Sequence, residues 1–158
     1  MDIELQLIVE NLLARYAHAL DDDRLEEWPD FFVETGCYRV TTAENHARGL
    51  PVSLIYAESR AMLRDRVSAL RHANIYEAQR YRHLVGATLV ERQDARIARA
   101  VSSFQVLRIM ASGETVLFAS GRYLDRIRLS GEISRPQFEE RVVVCDSRRF
   151  DTLLAIPL

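Results

Sequence analysis

An α+β fold with a curved, mostly antiparallel sheet follows from three features of the chain. Apolar residues at helical spacing crowd its first half. Nearly everything after Tyr81 alternates as strands do. Several of those alternating runs exceed the usual strand of about 5–6 residues, so they must twist and bend. Helices first and a large sheet afterwards is the order of an α+β domain.

Leu5, Ile8, Leu12, Leu13, Tyr16 and Leu20 recur at helical spacing and predict a long amphipathic first helix. Asp21-Asp22-Asp23 ends it, because carboxylates are unfavourable at a helix C-terminus. Asp23 stands three residues before Glu26, a capping-box spacing for a second helix carrying Leu25, Trp28, Phe31 and Phe32. Pro29 inside it predicts a short or kinked element. Tyr38 to Thr41 reads as a strand, Ala43 to Pro51 as a loop punctuated by Gly49 and Pro51, and Leu54 to Tyr56 as a short strand. Ser59 is placed to cap a third helix, built on Met62, Leu63, Val67 and Leu70, that runs to about Ala73.

The remaining strands are expected at about 82–91, 97–110, 115–129 and 138–146, with turns at Ser112-Gly113 and Ser130-Gly131. In the third, Leu117, Ala119, Tyr123, Ile127 and Leu129 alternate with Ser120, Arg122, Arg126 and Arg128, so one face is apolar and the other polar. The arginines can pair with Glu132, Glu139 and Glu140 across the next turn. The whole predicts a cone: three N-terminal helices pack into the concave face of the sheet, and Trp28, Phe31 and Phe32 help to fill it. With 158 residues and no linker or repeat, residues 1–158 are expected to form a single domain.

Composition narrows the chemistry. The chain is 48% hydrophobic and 28% charged, an ordinary globular balance. Apolar runs are too short to span a bilayer, and Met1-Asp2-Ile3-Glu4 does not read as a signal peptide, so the cytoplasm is the expected compartment. All 21 basic residues are arginine. Without lysine, Schiff-base chemistry and a Walker-type phosphate loop are both excluded. A formal net charge of -2 with dispersed arginines argues against a nucleic-acid surface. Cys37 and Cys145 are too few for a disulfide framework and read as buried thiols.

His18, His46, His72 and His83 are scattered over different elements, and neither cysteine has a close histidine partner, so no cluster or iron ligand set is expected in this chain. Cys145 follows Val142-Val143-Val144, an apolar strand that makes a thiol inert. Acid–base chemistry in a cone pocket would draw on Tyr16, Asp30, Tyr38 and His83. The plainer reading makes the tyrosines core aromatics with satisfied hydroxyls, Asp30 a surface residue and His83 a strand-start histidine. The stretch Asn74 to His83 crowds Arg80, Arg82 and His83 beside Tyr76 and Tyr81, and invites a search for function.

The whole chain resembles the small (β) subunit of aromatic-ring-hydroxylating dioxygenases, the Rieske-type oxygenases. The resemblance rests on Trp28-Pro29 with Phe31-Phe32, Tyr38-Arg39-Val40-Thr41, Asn45-His46-Ala47, Ala73-Asn74-Ile75-Tyr76-Glu77 and Arg80-Tyr81-Arg82-His83. It continues through Val106 to Met110, Phe118-Ala119-Ser120-Gly121, Tyr123-Leu124-Asp125 and Val144-Cys145-Asp146-Ser147. It implies a nuclear-transport-factor-2-like cone and a structural role with no catalytic, cofactor-binding or metal-binding residue in this chain. The Rieske [2Fe–2S] cluster and a mononuclear Fe(II) would sit in a large (α) subunit, in an α3β3 hexamer with self-association of the small subunit as a trimer. Electrons would come from NAD(P)H through a reductase, and the substrate would be a terephthalate-like or related aromatic carboxylate. Arg80, Tyr81, Arg82 and His83 are then expected at a subunit contact, since Tyr and Arg are enriched at interface hot spots. The competing readings are a stand-alone cone-fold isomerase, dehydratase or cyclase, and a cone-fold binding or adaptor protein.

Overall fold

A computed structural model describes residues 1–72, 77–129, 135–148, 154 and 156–158. The first helix, α1 (Ile3–Asp21), opens on Asp2, whose carboxylate accepts from the Leu5 N–H at 3.0 Å. It buries Leu5, Val9, Leu12, Leu13, Tyr16 and Leu20, while Ile8 is only half-buried. Its end is where the aspartates were expected to break it. Asp23 takes a left-handed φ of 59°, and the N–H groups of Asp23 and Arg24 bond back to Leu20 and Ala19.

The second helical element is a short 3-10 helix, Leu25–Phe31, as Pro29 suggests. The expected capping box does not form. Arg71 from the third helix takes the carboxylates of both Asp23 and Glu26, at 3.0 and 2.7 Å, and so ties the two helices together instead. Phe32, expected in this helix, begins strand β1 (Phe32–Thr42). The expected loop after it contains one helical turn, α2 (Ala43–Ala47), because Thr42 caps it through the Asn45 N–H. Gly49, at φ 64°, follows in the left-handed conformation that ends it. Strand β2 (Ile55–Ala57) is one residue later than expected. The Ser59 hydroxyl accepts from the Met62 N–H ahead of α3 (Arg60–His72), which buries Leu63, Val67 and Leu70 but leaves Met62 exposed.

Four long strands follow: β3 (Gln79–Arg92), β4 (Ile97–Met110), β5 (Thr115–Arg128) and β6 (Gln137–Cys145). The Ser112-Gly113 turn forms with Gly113 at φ 90°; the Ser130-Gly131 turn lies outside the described residues. The sheet order is β2-β1-β6-β5-β4-β3, antiparallel throughout except where β1 runs parallel to β6. The expected bulges are present, with register shifts between Gly86 and Leu89, between Val106 and Leu107 and between Arg126 and Ile127. Ala87, at φ 49°, lies in the first of them.

The two edges of the sheet are managed differently. The β2 edge is only three residues long. The β3 edge is covered by α1: Asp21 accepts the His83 N–H, and the Gln6 amide donates to the Thr88 carbonyl at 2.9 Å. Inside, Trp28, Phe32, Tyr38 and Phe138 meet edge to face around Tyr16. No helix among the described residues is long and apolar enough to cross a membrane.

Candidate functional site

Strand alternation divides the four residues that the sequence grouped. Arg80 and Arg82 are exposed, whereas Tyr81 and His83 are buried. His83 Nδ1 lies 2.6 Å from Asp21 Oδ1, and the His83 backbone N–H donates to both Asp21 oxygens, at 3.1 and 3.0 Å. Arg82 reaches the same carboxylate at 3.6 Å. A carboxylate at a helix C-terminus is thus held by two donors and a cation from the neighbouring strand. His83 Nε2 is buried and has no hydrogen-bond partner among the described residues. Asn74, Ile75 and Tyr76, from the same stretch, lie outside the described residues.

These residues border a groove of about 1200 Å³ between α1 and the sheet, which also meets Glu10, His18, Gln105, Ser120 and Arg122. Its lining mixes both charges with serine and glutamine. Asp30 is elsewhere, on the surface, 3.7 Å from Arg64.

Tyr16 and Tyr38 do come together, but on the protein's own chain. The Tyr16 hydroxyl donates to the Leu158 carbonyl at 2.8 Å and accepts from the Trp28 indole N–H at 3.0 Å. The Leu158 N–H donates to the Tyr38 hydroxyl at 3.1 Å, and that hydroxyl donates back to the Leu158 carbonyl at 3.2 Å. Burial pushes the Tyr16 phenol up and the Tyr38 phenol well up, so both stay neutral. Of the four acid–base candidates, the structure joins these two on Leu158, sets His83 against Asp21 and leaves Asp30 in solvent.

A buried ion pair lies deeper and escaped the sequence reading. Arg141 donates from Nε and Nη2 to the two carboxylate oxygens of Asp125, at 2.8 and 2.7 Å, with both side chains fully buried. The guanidinium carbon sits 4.2, 4.0 and 4.1 Å from the ring centres of Tyr16, Tyr123 and Phe138. Burial works against the charge of Arg141, but Asp125 more than compensates and the guanidinium stays protonated. Arg141 Nη1 and the Tyr123 hydroxyl have no hydrogen-bond partner among the described residues. The three rings supply an alternative neighbour for the guanidinium. A signal for this pair existed: Asp125 falls on the same alternation as Tyr123 and Ile127, hence on the core face, and pairs in register with Arg141.

On the polar face Glu139 joins Arg126 and Arg128, each at 2.7 Å, which is part of the pairing foreseen for the arginine stripe; Glu132 lies outside the described residues. Cys145 is buried, and burial pushes its thiol up to about 12; Cys37 is half-buried and also pushed up. Among the described residues no three His, Cys, Asp or Glu side chains gather as a metal site.

Residues 15–152 match the family model described as ring hydroxylating beta subunit. The chain is 48% identical over 156 residues to the subunit beta 1 of the terminal oxygenase component of terephthalate 1,2-dioxygenase from Comamonas sp., covering 98% of each. It is 39% identical to the anthranilate 1,2-dioxygenase small subunit of Burkholderia cepacia, covering 91% of this chain and 88% of that one. A solved β subunit assigned to an aromatic-ring-hydroxylating dioxygenase of Novosphingobium aromaticivorans superposes with a TM-score of 0.88 at 38% identity, covering 98% and 97%. The expected α+β cone is the fold of these subunits.

Proposed function

The chain belongs to the ring hydroxylating beta subunit family, and we propose that it scaffolds a Rieske-type oxygenase whose large subunit holds the [2Fe–2S] cluster and the mononuclear Fe(II). The observation that carries this reading is the end-to-end likeness to small subunits of terminal oxygenases. Its interior fits the role: Tyr16, Tyr38, Leu158 and the Asp125–Arg141 pair fill the cone with the protein's own groups. The substrate is an aromatic carboxylate, in keeping with the terephthalate and anthranilate named for its relatives. Both atoms of O2 enter the ring as hydroxyls, with two electrons from NAD(P)H delivered through a reductase. Assembly is α3β3, with residues 1–158 acting as one domain.

Arg80 and Arg82 face outward to meet the partner, and Tyr81 and His83 anchor that strand from inside. The test is Arg82→Ala in the co-expressed complex, followed by size-exclusion chromatography at low concentration. Loss of the hexamer is expected. Normal assembly would remove this cluster from the contact.

A further inference from the structure

Three residues inside the cone are held in the way a ligand is held. Ile156, Pro157 and Leu158 are buried, with Leu158 wholly shut off from solvent, yet they belong to no helix or strand. Buried backbone is ordinarily satisfied by other backbone, in a ladder or a helical turn. Among the described residues, the hydrogen bonds of this segment all go to side chains. The Tyr16 and Tyr38 hydroxyls donate to the Leu158 carbonyl at 2.8 and 3.2 Å, and the Leu158 N–H donates to the Tyr38 hydroxyl at 3.1 Å. Both phenols are fixed from behind. The Trp28 indole N–H donates to Tyr16, and the Trp28 and Phe32 rings meet Tyr38 edge to face. The gripping groups thus stand on α1, the 3-10 helix and β1, none of which contains the segment they grip. Groups locked in place before an occupant arrives lose little entropy on binding it.

The lining specifies the occupant. Two phenols that burial keeps neutral converge on one oxygen, which calls for a carbonyl. The Tyr38 oxygen takes an N–H, which makes that carbonyl part of an amide. Beside Tyr16 the Asp125–Arg141 pair leaves no net charge, so a carboxylate or an ammonium buried here would lack a counter-ion. Arg141 Nη1 and the Tyr123 hydroxyl, unpartnered among the described residues, add further donors to the same interior and favour an oxygen-bearing occupant. The Leu158 side chain joins the aliphatic and aromatic core cluster, so the body of the occupant is branched and apolar.

We infer that the cone interior is a binding site for a small neutral amide with a branched aliphatic body, and that residues 156–158 fill it as a built-in, displaceable occupant. This does not depend on the oxygenase reading. The test is the full chain carrying Ile156→Gly/Leu158→Gly, which strips the segment of both aliphatic side chains, titrated with N-acetylleucinamide. Trp28, the chain's one tryptophan, reports on the site through its bond to Tyr16. The variant should show a saturable change in tryptophan fluorescence and a rise in melting temperature, at a probe concentration at least tenfold below any that affects the wild type. N-acetylglycinamide, with the same polar groups and no branched body, should bind at least tenfold more weakly. Adding Tyr38→Phe should weaken N-acetylleucinamide binding at least tenfold, since that hydroxyl meets both its carbonyl and its N–H. If the double variant is insoluble, Leu158→Gly alone carries the same expectations. Equal responses from wild type and variant place the probe elsewhere and overturn the inference. Equal binding of the two probes, indifference to Tyr38→Phe, or no saturable response from a soluble variant overturns it as well.

Discussion

Asp125→Ala would leave the Arg141 guanidinium in the core without its counter-ion. Both side chains are fully buried, and the substitution removes hydrogen bonds of 2.8 and 2.7 Å together with the carboxylate that faces that charge. Stranding a buried charge costs about 3–5 kcal/mol. The rings of Tyr16, Tyr123 and Phe138, 4.0 to 4.2 Å away, keep part of the cation's stabilisation and set the expected cost near the lower end, about 3 kcal/mol. That is a large share of the roughly 5–15 kcal/mol that holds a domain together. In a chain of this length it corresponds to a melting-temperature drop of about 6–12 °C. Urea unfolding of the purified chain measures it, and the companion variant Asp125→Leu/Arg141→Met should recover most of the loss, because an apolar pair needs no counter-ion. A cost below about 1 kcal/mol for Asp125→Ala, or a double variant no better than the single, would refute the claim that this pair is a coupled unit of the core.

Other outcomes follow from the same geometry. A Cβ added at Gly121 would lie 2.0 Å from the Val144 carbonyl oxygen, where β5 and β6 meet, so Gly121→Ala should cost about 3 kcal/mol or more and show as insoluble or early-melting protein. Hydrogen bonds from Arg71 and Arg126 hold the Glu26 and Glu139 carboxyls below the usual range. Lowered folded pKa values mean stability that is present above the unfolded value of about 4.3 and lost as pH falls through the folded ones. The urea midpoint should therefore be flat from pH 7 to 5 and fall at lower pH, less steeply in high salt; a midpoint rising on acidification would contradict these pairings. With Cys145 buried and pushed up to about 12, a thiol reagent at pH 8 should modify at most Cys37 in the native chain, slowly, and both thiols in urea.

The sequence carried the large features because they depend on period. The α1 face, the long bent strands and the short Pro29 helix each follow from local spacing, and the structure contains them. Position-specific partners were harder to read. Asp23 and Glu26 have capping-box spacing, yet Arg71, forty-five residues beyond Glu26, takes both carboxylates. Local spacing could not reveal so distant a competitor. Thr42 capped a helical turn in a stretch whose glycine and proline read as loop, because the turn ends just before them. Treating Arg80 to His83 as one cluster overlooked strand parity, which sends alternate side chains to opposite faces. The same parity, applied to Asp125, would have pointed to the buried pair with Arg141. The arrangement of Tyr16 and Tyr38 around Leu158 joins residues 142 and 120 positions apart, beyond the reach of any spacing argument.

Iron analysis of the purified chain, alone and co-expressed with its large subunit, tests the scaffold reading most directly, with turnover of an aromatic carboxylate measured on the same samples. The account predicts iron, visible cluster absorption and ring dihydroxylation only in the complex. A stoichiometric metal ion held by the isolated chain, or turnover by that chain with only substrate added, would contradict it.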